Sequence, residues 1–158
     1  MTGSSAAALT GLMFVVTSLI DRQRVSREGV GIFSTPTVVH FGCVLLASAM
    51  LLAPWHALWH ATVGLGVIGL YGLGYVVRAI VLSFRISGYA PDLEDWTWFS
   101  IAPLIGYAAV LAGALILSRD PWGIFVVAGG AMLLMFIGIR NSWDVITYIS
   151  VTGRDEES

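Results

Sequence analysis

His56 and His60 stand four residues apart in Trp55-His56-Ala57-Leu58-Trp59-His60. On a helix that spacing puts two imidazoles on one face, where they could serve as nitrogen ligands to a metal ion. Asp120, in a second short polar connection, could add an oxygen ligand. The competing reading is an interfacial one, with both rings resting beside tryptophans at a polar boundary. His40 lies in a different apolar run, near its opposite end, so geometry disfavours a haem held between His40 and either of the other two. Asp92, Glu94 and Asp95 offer carboxylates to a divalent cation, against a solvated acidic turn that caps a helix. No Ser-His-Asp order, phosphate-cradling glycine loop or zinc-protease signature is present.

A second group of polar residues falls inside or beside apolar runs. Tyr71, Tyr75 and Arg78 share one helical face, and Arg78 sits seven residues before Arg85, roughly 10 Å along a helix. Asn141, Asp144 and Tyr148 share another face, with Arg140 at pairing distance from Asp144. Charges at bilayer depth cost a few kcal/mol on insertion scales, so such residues raise a functional hypothesis. The alternative is that Arg78 reaches the headgroups along its own stem while Arg140 and Asp144 pair at the interface. We expect Arg78 to pair with Asp144, with Asn141 and Tyr75 as hydrogen-bond partners. A local Arg140–Asp144 pair is the rival. Outside this group, polar residues at mid-membrane depth are sparse, which counts against a conducting path.

The elements that must hold these residues are set by composition. The chain is 57% hydrophobic and 11% charged, with a mean hydropathy of +0.84. A soluble domain carries roughly 25% charged residues. The pattern predicts an all-α membrane protein, a polytopic transmembrane helix bundle in one domain of 158 residues. The net charge of −2 points to no partner, nucleic acid included, and every basic residue is an arginine. Cys43 is the single cysteine, which excludes an internal disulfide, and its apolar neighbours mark it as a small buried side chain.

Five spans are expected, at residues 6–20, 36–53, 61–84, 98–118 and 122–139, with a helical extension over 140–149 and an acidic tail over 152–158. Four spans is the alternative, because the first run is short. A cleaved signal peptide does not fit that run, which lacks a preceding basic residue and has three arginines after it. Thr35-Pro36 reads as a cap followed by a first-turn proline. Pro103 should kink the fourth span mildly.

The fourth span organises the rest. Ala102, Gly106, Ala109 and Gly113 recur at i, i+4, i+7 and i+11, a ridge without large side chains where another backbone can approach. In lipid such ridges join helices, because apolar burial drives nothing there. Gly66, Gly69 and Gly72 make a second, drifting stripe on the third span.

With five spans, Arg22, Arg24, Arg27, Arg78, Arg85, Arg140 and Arg154 fall on or near one side and Arg119 alone on the other. The positive-inside rule then puts the N-terminus outside and the C-terminus in the cytoplasm, in the plasma (inner) membrane of a bacterium. Trp55, Trp59 and Trp122 at one boundary, and Trp96, Trp98 and Trp143 at the other, give the same layout. Phe33-Ser34 with Pro36 and Pro54-Trp55 parallels Phe99-Ser100 with Pro103 and Pro121-Trp122, as two hairpins of a parallel repeat would.

No family-specific motif is present. The composition and ridges fit a small non-enzymatic integral membrane subunit, self-associating or serving a larger complex, with the lipid bilayer as solvent and no cofactor. A homo-oligomeric channel or transporter is the first alternative. A metal-binding or redox protein using the outer histidines is the second.

Overall fold

The computed structural model describes residues 1–20, 27–83 and 96–155, which form five helices and, among the described residues, no strand. They are α1 (Thr2–Ile20), α2 (Arg27–Leu52), α3 (Leu58–Ser83), α4 (Ala102–Leu117) and α5 (Gly123–Asp155). Leu58–Leu82, Thr97–Leu117 and Gly123–Asp144 are long and apolar enough to cross a membrane. Thr2–Val15 and Pro36–Leu52 are shorter apolar helical stretches. The chain is therefore an all-α bundle of membrane character.

The helices outrun the apolar runs that predict them. α2 passes through Pro36 and begins nine residues earlier, so Thr35-Pro36 is not its start. Pro103 stands in the first turn of α4, and the irregularity lies before it. The five residues before α4, Thr97–Ile101, form a π turn, with the Ala102 backbone N–H donating to the Thr97 carbonyl. Proline supplies no N–H to the carbonyl four residues back and crowds it. A wider i→i+5 turn just before Pro103 is a local way to absorb that mismatch. The acidic residues Asp92, Glu94 and Asp95, and the tail from Glu156, lie outside the described residues.

Glycine contacts give the helix directions. Gly69 abuts Leu111 and Gly72 abuts Tyr107, so α3 and α4 run antiparallel. Gly106 meets Leu134 while Gly113 meets Val127, so α4 and α5 do too. Gly64 meets Met50 across the short link between α2 and α3, so these two are antiparallel. The alternation around α3, α4 and α5 makes α2, whose Phe41 faces Gly138, antiparallel to α5. Gly3, at the start of α1, faces Ser48 near the end of α2. Neighbours run α2, α3, α4, α5 and back to α2, with α1 laid against α2 and lightly against α5. Across this four-helix square, α3 and α5 are diagonal.

The two hairpins are not packed alike. α4 and α5 share the most extensive interface in the molecule, whereas α2 and α3 touch much less and α2 leans instead on α1 and α5. Any sequence likeness between the hairpins is therefore not carried into their packing. The difference comes from glycine placement. Gly106, Gly113, Gly123 and Gly130 interleave along one seam, with Gly130 close to the Gly106 carbonyl and Gly113 close to the Gly123 carbonyl.

Candidate functional site: a polar interior

The centre of the square is filled by Tyr107, the largest of the fully buried side chains. Its ring lies against Gly72, where a Cβ would overlap ring carbons, so the glycine of α3 is what admits it. The ring spans the diagonal from α4 to α2. There its hydroxyl is 2.9 Å from Nδ1 of His40, itself 2% exposed. The two rings are tilted at 50° with centroids 5.6 Å apart. The thiol of Cys43 also lies within hydrogen-bond reach of the Tyr107 hydroxyl. Cys43 is buried among Ala6, Val44, Val76 and Val110, as its apolar neighbourhood predicts.

Chemically, a histidine and a tyrosine sharing one proton between Nδ1 and Oη can act as donor and acceptor in either direction. In a dry bundle core that bond also holds both rings in a fixed relation. Deeper toward the α2 start, Thr37 is fully buried. On α5, Asn141 is 1% exposed and neither Oδ1 nor Nδ2 has a hydrogen-bond partner. The interior is thus considerably more polar than the sequence alone suggests, since His40, Tyr107 and Thr37 look like isolated residues in apolar runs.

The predicted cluster of Tyr71, Tyr75, Arg78, Arg140, Asn141 and Asp144 does not assemble at one place. Tyr75 packs against the core, but Tyr71 is 59% exposed and Arg78 projects from the outside of α3. Asp144 pairs with Arg140, at 3.7 Å, and not with Arg78. The expected Arg78–Asp144 pair fails for a geometric reason. α3 and α5 sit on opposite corners of the square, whereas Arg140 and Asp144 are one turn apart on one helix. Arg140 also places its guanidinium 4.4 Å from the centroid of Trp98, which in turn meets Phe136 at 6.2 Å. This clasp joins the π turn that precedes α4 to the middle of α5. Asp144 is exposed and Arg140 half-buried, with their charged atoms 3.7 Å apart, so Asp144→Ala is expected to cost under about 1 kcal/mol. Thermal unfolding in detergent would check this, and a larger loss would show the pair to be shielded.

His56 and His60 have separate surroundings. α3 begins at Leu58, so His56 precedes the helix and the two rings do not share a helical face. His60 stacks on Trp59 and Trp55, at centroid distances of 3.8 and 5.8 Å, with Nδ1 3.1 Å from the Ala57 carbonyl oxygen. Asp120 is occupied locally, its Oδ1 accepting from the Trp122 N–H at 2.9 Å in the turn before α5. Among the described residues no three of His, Cys, Asp and Glu are gathered as metal ligands would be.

The ridge of α4 is used inside the bundle. Gly106 and Gly113 are buried against α5, while Ala102 and Ala109 are half-buried at its flank. No family model, no curated protein and no solved structure matches this chain.

Proposed function

We propose that the chain is a small non-enzymatic integral membrane subunit that associates laterally, with a second copy of itself, through the outer face of α3. The observation that carries this reading is what α3 leaves uncovered. Only 28% of its span is buried, against 39% for the spans of α4 and α5. Gly66 and Gly74 have nothing within 4 Å of where a Cβ would stand, and Tyr71 and Arg78 are exposed on the same helix. Open glycines permit close helix approach, and lipid-facing phenol and guanidinium groups gain from a protein neighbour. Light scattering in detergent should give more than one copy per particle. Gly66→Leu with Gly74→Leu should reduce this to one copy without lowering the unfolding temperature. A wild-type monomer sinks the reading.

All five helices cross the bilayer in this proposal, with the N-terminus outside and the C-terminus cytoplasmic in a plasma membrane. Single cysteines at Ser4 and Ser158, in a Cys43→Ser background, should label from opposite sides. Labelling from the same side would leave an even number of spans.

A channel or transporter is the second reading, and the polar interior around His40 and Tyr107 is what favours it. Proton entry into dye-loaded proteoliposomes, lost on Tyr107→Phe, would put it first.

A further inference from the structure

Asn141 is the only asparagine in the chain, and the structure buries it almost completely with its amide oxygen and nitrogen both unpartnered. In a bundle surrounded by lipid, such a group cannot turn to bulk water. An amide left without partners in an apolar medium costs several kcal/mol. Its location indicates what completes it. Asn141 lies one turn beyond Gly138, which packs against Phe41 of α2. The two helices are antiparallel, so one turn back from Phe41 brings the fully buried Thr37 to the same level. A threonine hydroxyl keeps acceptor lone pairs even when its proton is engaged. The partly exposed Arg140 and Asp144 adjoin Asn141 on α5, so the polar boundary is within a turn of it.

We propose that Asn141, with Thr37 opposite it, forms an internal hydration site between α2 and α5, holding a water molecule that enters from the Arg140–Asp144 end. Asn141 offers two donors and an acceptor, and Thr37 offers an acceptor. A buried water requires two to four such partners. The site lies one turn from His40 along α2, which places a hydrated position next to the His40–Tyr107 bond. This inference stands apart from lateral association, since it concerns the opposite side of the square from the α3 face.

Having one asparagine makes the test selective. Protein labelled with ¹⁵N-asparagine, in micelles, gives one side-chain amide pair. Both protons should show cross-peaks to water and exchange within seconds. Thr37→Val should shift the pair and weaken the water cross-peaks. An amide without water cross-peaks, protected for hours, would overturn the proposal, because Asn141 would then be bonded within the protein. Unchanged shifts in Thr37→Val would remove Thr37 from the site. In a second measurement, Asn141→Leu should lower the unfolding temperature. A rise would also overturn the proposal, because it would show the amide to be an unrelieved burial defect.

Discussion

Gly113→Leu is expected to abolish the folded bundle, and even Gly113→Ala should lower stability by about 2–3 kcal/mol. The reason is what a side chain there would strike. A Cβ on Gly113 would stand 2.6 Å from the Val127 backbone nitrogen and 2.9 Å from the Gly123 carbonyl oxygen. Backbone cannot rotate away, so α4 and α5 would have to separate along their whole glycine seam. Dispersion at close range is much of what joins helices in lipid, and a fraction of an ångström of separation forfeits a large part of it. Gly106→Ala, on the same ridge, should be milder, about 1 kcal/mol, because its Cβ meets the Leu134 side chain, at Cδ2 and Cγ, and the Gly130 carbonyl oxygen only at 3.6 Å. Gly129→Ala has open space and should be neutral or slightly stabilising. Thermal unfolding of the three alanine variants in one detergent tests the order. Equal losses at Gly113 and Gly129 would show that the seam does not hold the bundle.

This ordering marks how far the sequence was legible. Apolar runs and glycine spacing locate the helices and identify Ala102, Gly106, Ala109 and Gly113 as a packing ridge, since both are patterns within one segment. Which helix fills the ridge is not such a pattern. It depends on which neighbour presents matching glycines, here Gly123 and Gly130 of α5. The ion pair failed for the same reason. Arg78 and Asp144 reach the same boundary in a linear reading, but only the circuit of neighbours shows that they occupy diagonal corners. The short connection around Asp120 is a local matter, and there the carboxylate accepts from the Trp122 N–H within the turn. Two sequence clues point to the polar interior. Gly72 and Tyr107 are complementary in size, and a histidine in mid-helix needs a partner.

Tyr107→Phe should cost about 1–3 kcal/mol although it removes a single oxygen atom. The loss comes less from the bond itself than from what it leaves behind. His40 is 2% exposed, and without the hydroxyl its Nδ1 has no replacement partner within the pair. Water could replace a lost partner at a surface, but the ring is buried inside the bundle, against the Tyr107 ring. A variant that removes both polar groups does not strand either one. His40→Leu combined with Tyr107→Phe should therefore cost less than the two single losses added together, by about 1 kcal/mol or more. Gly72→Ala gives an independent check on the same contact. Its methyl would displace the Tyr107 ring from α3 and so break the hydrogen bond without touching either partner chemically. In a Gly72→Ala background, Tyr107→Phe should then have little further effect. Strict additivity in both comparisons would mean that Tyr107 fills the centre of the bundle by its bulk alone, and that the His40 bond contributes nothing to holding α2 against α4.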